Sequence, residues 1–412
     1  MALVLCLVGR LLPNPAKSSF FSRRGYHPSM WSPSPQSLLW SKSSPPTSVA
    51  VPPRFSSTSF SYAHVLLPSR LPPSRSSPAM ALHLFHLRLS LLITLLLSCS
   101  TSAKLKLDYY QTSCPRVHEI ISEVITTKQI NSPTTAAGAL RLFFHDCFVS
   151  GCDASVLISS NHFNKAERGA EINLSLPGDA FDAIIRAKTA LELQCPGVVS
   201  CADILAIATR DLVSMLGGPF YPVRLGRKDS LSSSAADAES NLARPNASID
   251  QIISLFASKG FTVRELVALS GAHTVGFSHC QEYADRIFHF NKGGPLASDP
   301  TMNPKLAQAL QKACANYQKD PTIATFNDIM TPGKFDNMYY QNLLRGLGLL
   351  NTDQKMAADP RTAPLVRLYA ANQTAFFDHF SHAMQKLGLY NVKTARKGEV
   401  RRRCDVFNNL SP

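Results

Sequence analysis

Arg141 and His145 stand four residues apart in the stretch Gly138-Ala-Leu-Arg-Leu-Phe-Phe-His-Asp-Cys-Phe-Val-Ser-Gly-Cys-Asp153, with Phe144 three residues from the arginine. On a helix all three project from one face. A guanidinium offers fixed positive charge and an imidazole carries protons near neutral pH, so the pair suits a small reaction site with an aromatic wall. Cys147 and Cys152 bracket a short turn that holds Val149, Gly151 and Asp153. His273 ends the apolar run Leu266-Val-Ala-Leu-Ser-Gly-Ala-His-Thr-Val-Gly276, and Asp353 lies in Gly348-Leu-Leu-Asn-Thr-Asp-Gln354, where a carboxylate could meet an imidazole across the fold. Singly, each is ordinary. An Arg and a His one turn apart are common on helix surfaces, and a histidine in an apolar helix is usually a satisfied core residue.

The elements that must position these groups read as helices. Pro133 after Asn131-Ser132 suits a first-turn proline behind a capping residue, so a helix carrying Arg141 and His145 starts there. Val117, Ile120, Ile121, Val124 and Ile125 repeat at helical spacing, as do Phe181, Ile184, Ile185 and 187–191. Residues 202–216 form a further apolar helix closed by Gly217-Gly218-Pro219. Thr262-Val-Arg-Glu265 has capping-box spacing. Later helices are expected over 304–314, 336–345 and 374–387, and one short strand over 221–225. The chain from residue 104 therefore reads as one mainly α domain, two helical lobes around a cleft.

Composition narrows the class. The chain has 412 residues and a formal charge of +14, but residues 1–103 carry nine Lys/Arg and no acidic residue, leaving 33 basic against 28 acidic residues beyond them. So small an excess argues against a nucleic-acid surface, and the Arg401-Arg402-Arg403 run reads as a solvated patch. Residues 1–79, rich in Ser, Pro and Arg, cannot bury a core and read as a disordered extension, either a plastid-type transit peptide or an upstream artefact. Residues 80–103 read as a secretory signal: His83, His86 and Arg88, then the apolar run 89–97, then Thr101-Ser102-Ala103. That run is short for a span of roughly 20 residues, so no stable membrane insertion is expected, although use of Met1 would make it an internal anchor. Eight of the ten cysteines follow the signal. An even set behind an export signal implies four disulfides, and spacing alone leaves roughly a hundred pairings open. Zinc is disfavoured because no Cys-x-x-Cys pair occurs.

Read together, Arg-Leu-Phe-Phe-His-Asp-Cys-Phe-Val, Gly-Cys-Asp-Ala-Ser, Val-Ser-Cys-Ala-Asp-Ile-Leu, Leu-Gly-Arg-Lys-Asp-Ser, Ala-Leu-Ser-Gly-Ala-His-Thr and Lys-Phe-Asp-Asn-Met-Tyr-Tyr resemble, in order, the motifs of secreted plant (class III) haem peroxidases. The resemblance runs from residue 104 to the C-terminus. It implies a two-lobed, mainly α haem peroxidase fold with one haem b between distal and proximal halves, two Ca²⁺ ions and four disulfides. The implied activity is H2O2-driven oxidation of phenolic donors by one-electron steps, in peroxide removal, cell-wall phenolic and lignin oxidation and oxidative-stress response.

By the same resemblance His145 is the distal acid–base group, Arg141 stabilises charge on the departing oxygen, Phe144 screens the haem face and Asn173 hydrogen-bonds the distal histidine. His273 is the axial iron ligand and Asp353 accepts its ring N–H. Distal calcium ligands are Asp146, Asp153, Ser155 and the carbonyls of Val149 and Gly151, with Glu167 reaching the ion through water; the proximal set is Thr274, Asp328, Thr331 and Asp336. Calcium takes roughly six to eight oxygen ligands, which such loops supply. Family pairing joins Cys114–Cys195, Cys147–Cys152, Cys201–Cys404 and Cys280–Cys314. Sequons at Asn246, Asn372 and Asn409 fit a glycoprotein surface, whereas the one at Asn173 should stay bare. The short tail after Cys404 favours an apoplastic or cell-wall address over a vacuolar one, and a monomer is expected. One departure stands out: Ala243, followed by Arg244, replaces the proline that helps define the family's aromatic donor site. Two other classes compete with this reading. A catalytically weak binder of acidic wall pectin on the same scaffold is opposed by the intact Arg141, His145, His273 and Asp353. A hydrolase lacks a Gly-x-Ser-x-Gly elbow.

Overall fold

The computed structural model describes residues 105–408. The extension over 1–79, the signal over 80–103 and the sequon at Asn409 lie outside the described residues.

Helix α1 (Val117–Asn131) buries Val117, Ile120, Ile121 and Ile125, the stripe its periodicity demands. α2 (Thr135–Ser150) carries Arg141 and His145. It starts two residues beyond Pro133, and its N-cap Thr134 makes no side-chain cap. Gln129 does that work instead: its Oε1 accepts Ala136 N–H at 2.8 Å while its Nε2 donates to the Pro133 carbonyl at 2.9 Å. α3 (Gly178–Gln194) and α4 (Cys201–Met215) complete the first bundle, in which α1 packs on α3 and α4, and α2 on α3 and α4. Ile204, Leu205, Ile207, Ala208 and Leu212 are all essentially buried, so α4 is apolar nearly all round and runs through the core.

The chain continues through α5 (Ala235–Asn241), α6 (Ile249–Ser258) and α7 (Val263–Ser270) into a 3-10 turn, Gly271–Val275, that holds His273. The capping box expected at Thr262 is formed in both directions: Glu265 N–H donates to Thr262 Oγ1 at 3.2 Å and Thr262 N–H to Glu265 Oε2 at 2.7 Å. Strand β1 (Phe277–His279) pairs antiparallel with β2 (Ala324–Phe326), and between them lie α8 (Ala284–Ile287) and α9 (Pro304–Ala313). α10 (Met338–Leu344), α11 (Asn351–Met356), α12 (Ala363–Ala371) and α13 (Gln373–Leu387) follow. α7 packs on α13 and α10 on α12, giving the second bundle. A separate apolar cluster of Tyr283, Ile287, Met302, Leu306 and Leu310 surrounds the Cys280–Cys314 bridge.

Two expectations are corrected. Residues 221–225 form no strand; only Leu225 bridges to Lys106, because the segment runs alone between helix ends with no neighbour to extend a ladder. Arg401 is not solvated but fully buried, donating to the carbonyls of Ala154 at 2.7 Å and Cys404 at 2.6 Å. Arg402 and Arg403 do face solvent.

Among the described residues four disulfides are present: Cys114–Cys195, Cys147–Cys152, Cys201–Cys404 and Cys280–Cys314. The third spans 203 residues. On chain-entropy grounds so long a closure restricts the unfolded state by about 5 kcal/mol. Beside it two of the sequence motifs meet. Asp229 accepts the N–H groups of Cys201 at 3.1 Å and Ala202 at 2.9 Å, placing a carboxylate on the N-terminus of α4, and it also accepts Arg401 N–H at 2.9 Å. Asp203 receives Arg227 Nη1 at 2.8 Å, Gly226 N–H at 2.6 Å and Tyr110 Oη at 2.8 Å, all buried. The Val-Ser-Cys-Ala-Asp and Leu-Gly-Arg-Lys-Asp motifs are thus one polar joint rather than two sites.

Candidate active site

His145 projects from the middle of α2 and is 8% exposed. Its Nδ1 lies 2.6 Å from Asn173 Oδ1. Asn173 Nδ2 donates to the Glu167 carbonyl at 2.8 Å, which leaves the amide oxygen for the imidazole and therefore puts the ring proton on Nδ1. Nε2 is then a lone pair, and Arg141 Nε donates to it at 3.2 Å. Both ends of the chain of bonds require the same tautomer. Burial, and next the Arg141 charge, drive the His145 pKa down to about 3 against a smaller upward pull from Asn173. The imidazole is neutral across ordinary pH and can accept a proton at Nε2.

Arg141 is held from behind. Its Nη1 donates to the Ser175 carbonyl at 3.1 Å, and its Nη2 to Ser175 Oγ at 3.0 Å and the Ile172 carbonyl at 3.3 Å. Sequence reasoning missed Ser175, whose only visible signal was its place in the Asn173 sequon. With Asn173 2% exposed and Ser175 engaged by arginine, that sequon is closed to an oligosaccharide. Phe144 stacks on Phe148 with centroids 4.7 Å apart, so its ring is fixed beside His145.

The His273 turn packs against α2. Gly271 is required there: a Cβ would stand 2.4 Å from both Phe376 and the Tyr340 hydroxyl. His273 Nδ1 lies 2.9 and 3.1 Å from the two oxygens of Asp353, itself 3% exposed on α11. Burial opposes protonation of His273, but the Asp353 carboxylate outweighs it and the net shift is upward. The carboxylate fixes Nδ1 as the protonated nitrogen and makes Nε2 a strong donor toward a metal. One imidazole braced by a carboxylate, with a second imidazole and a guanidinium on the helix packed against it, is the donor arrangement that haem iron and its peroxide substrate call for.

Each histidine adjoins an oxygen-rich loop. Asp146, Asp153, Ser155 and Glu167 are all within 1% of full burial, and the Ser155 hydroxyl and Glu167 Oε2 have no hydrogen-bond partner. Burial, then neighbouring carboxylates, push Asp146 up to about 8 and Glu167 up to about 9. Asp146 and Glu167 are thus costly to ionise without a further positive charge nearby. Gly151 supplies the turn at φ +109°, where a Cβ would meet the Asn391 carbonyl at 2.4 Å. On the other side Thr331 Oγ1 donates to Asp336 Oδ1 at 3.1 Å, and Thr274 Oγ1 to Asp328 Oδ2 at 3.2 Å, so those four residues also converge. Among the described residues no three His, Cys, Asp or Glu side chains form a cage by themselves, so a metal at either loop must use hydroxyl and carbonyl oxygens as well. That mixture suits a hard divalent cation such as calcium.

Ala243 and Arg244 are exposed after α5. Arg244 pairs with Glu239 at 2.6 Å and Glu171 at 3.3 Å, so the position after the missing proline is charged and held. Asn246 is exposed, whereas Asn372, also exposed, caps α13 by accepting Ala375 N–H at 3.0 Å. Among the described residues no helix is long and apolar enough to cross a membrane.

Known proteins resemble this chain over most of its length. The family profile described as "Peroxidase" matches residues 118–372, more than half of the chain. Peroxidase 65 of Arabidopsis thaliana is 59% identical over 309 residues, covering 75% of this chain and 91% of that protein. Peroxidase 31 of the same plant is 57% identical over 319 residues, covering 77% and 98%. Peroxidase 50 is 46% identical over 328 residues, covering 79% and 98%. With a peroxidase profile over more than half of the chain and relatives this similar along nearly their whole length, the chain belongs to the plant (class III) haem peroxidase family and is a peroxidase.

Proposed function

We propose that the chain oxidises phenolic donors with H2O2 in successive one-electron steps, using His145 as proton carrier, Arg141 as charge stabiliser and His273 as the axial ligand of haem b. The observation that carries this reading is the bonding of His145: Asn173 Oδ1 lies 2.6 Å from Nδ1 and accepts a hydrogen bond from its proton, so the lone pair sits at Nε2, where it faces Arg141. When bound, haem supplies the iron at which peroxide is reduced and stores its two oxidising equivalents. His145 Nε2 takes the proton from one peroxide oxygen and returns it to the other, which then leaves as water. Arg141, already locked by Ser175 and Ile172, stabilises negative charge on that leaving oxygen without reorganising. Phe144 narrows the space beside His145 and would keep bulky donors away from the imidazole.

Two calcium ions complete the proposal. Asp146, Asp153, Ser155, Val149 and Gly151 would hold the distal one, with Glu167 through water; Thr274, Asp328, Thr331 and Asp336 would hold the proximal one. The unpartnered Ser155 and Glu167 oxygens support the first site, and the convergence of Thr331 on Asp336 supports the second. Four disulfides favour an oxidising, extracellular address, here the apoplast.

Protein refolded with haem and calcium should show a Soret band and turn over guaiacol with H2O2. His145→Ala should keep the band and lose turnover. A correctly folded protein with no band, or unchanged turnover in the variant, would overturn the reading.

A further inference from the structure

One side chain at the distal loop belongs to no part of the chemistry above. Lys393 lies 240 residues from Asp153, and its ammonium pairs directly with Asp153 Oδ2. The pairing is anchored from both sides. Lys228 N–H donates to the Lys393 carbonyl at 2.8 Å, and Asn391 Nδ2 donates to the Ser150 carbonyl at 2.8 Å. Asp153 is fully buried, whereas the Lys393 side chain is 26% exposed. The ammonium therefore enters the acidic loop from the solvent side, at the end of a flexible stem that can swing back out. Ser155 Oγ and Glu167 Oε2, deeper in the same loop, stay unpartnered, so the lysine satisfies one carboxylate and not the group of oxygens.

We propose that Lys393 is a tethered competitor for the distal cation: it holds Asp153 when calcium is scarce and must release that carboxylate when calcium binds. The inference rests on the reading of Asp146, Asp153 and Glu167 as a calcium site. A divalent ion sharing Asp153 meets a like charge, so either the lysine leaves or the ion binds against repulsion. Both routes weaken calcium binding. The same lysine neutralises part of the acid cluster after calcium is withdrawn, which keeps the loop folded. The site is thereby tuned toward lower affinity and greater tolerance of calcium loss.

The experiment is calcium titration of EGTA-stripped, haem-retaining enzyme by calorimetry, together with melting curves in EGTA and in millimolar calcium. Lys393→Met and Lys393→Gln should each bind the distal ion about tenfold more tightly, equal to about 1.4 kcal/mol. In EGTA both should melt below wild type, and in saturating calcium at or above it. Lys393→Arg should restore the weaker binding. If wild type and both neutral variants bind two ions with equal affinities, the competitor role is wrong while the calcium site stands. If Asp153→Asn still binds two ions as wild type does, the distal site itself is misassigned and the inference falls with it.

Discussion

His145 Nδ1 and Asn173 Oδ1 are 2.6 Å apart, and Asn173 in turn donates to the carbonyl of Glu167, a residue of the distal acidic loop. One amide therefore connects the His145 imidazole to the acidic loop. Asn173→Val should preserve the fold and haem binding yet lower the second-order rate constant for H2O2 by about 10–100-fold, the usual cost of losing an orienting partner. Stopped-flow absorbance at the Soret band measures it. An unchanged rate would mean that the amide plays no part in orienting the imidazole.

Arg141→Leu should lower the same rate constant by about 100–1,000-fold, as removal of a preorganised charge stabiliser does. Arg141→Lys should recover only part of it. Three bonds lock the guanidinium onto Ser175 and Ile172, and a lysine ammonium cannot reproduce that fork.

Asp353→Asn should raise the Fe(III)/Fe(II) potential of the bound haem, because the carboxylate facing His273 Nδ1 favours the higher oxidation state. Spectroelectrochemistry reads the shift directly, and a potential unchanged from wild type would separate Asp353 from the proximal ligand.

Asp203 and Arg227 form a buried pair, 0% and 2% exposed, at 2.8 Å. Arg227→Met leaves Asp203 without its cation, at a cost of about 3–5 kcal/mol. Denaturant unfolding should show a lowered midpoint with an unchanged slope. A surface pair such as Arg116–Glu119, both more than half exposed, should show no comparable loss on Arg116→Met.

Glu265 contributes to acid tolerance. Burial raises its pKa, but Lys386 and the Thr262 groups outweigh that, so the folded value lies below the ordinary 4.5. A depressed carboxylate contributes stability that is present above the unfolded pKa and is lost as pH falls through the folded one. Glu265→Gln should therefore be destabilised by about 1 kcal/mol at pH 7. Its difference from wild type should shrink below about pH 4.5 and vanish in stronger acid. Melting curves across that range check the sign.

Much of this was legible in the chain. The helix that carries Arg141 and His145, the capping box at Thr262 and the apolar run of α4 follow from local periodicity, and the structure has them within a residue or two. That Asp353 could meet His273 is conceivable from the chain, but only the resemblance pairs them, since 80 residues separate the two. Arg401 was misread because a triple-arginine run carries no sign of which member turns inward; the carbonyls that bury it come from residues 153 and 154. Residues 221–225 look like a strand because Tyr and Val favour one, yet a strand needs a neighbour that sequence cannot supply. Lys393 and Ser175 escaped for the same reason, as each acts on a residue distant in sequence.

Arg401 closes the distal loop by donating to the carbonyls of Asp153 and Ala154, 248 and 247 residues earlier in the chain. At ordinary synthesis rates that gap represents roughly 10–50 s of translation. Throughout that interval the catalytic helix exists without the residue that seals its neighbouring loop, and Cys201 waits for Cys404. A chain cut before residue 401 would carry Arg141, His145, His273 and Asp353 but lack the two bonds that close the distal loop. The distal loop is thus closed by a segment synthesised long after it, so its framework stays incomplete until residue 401 has been added.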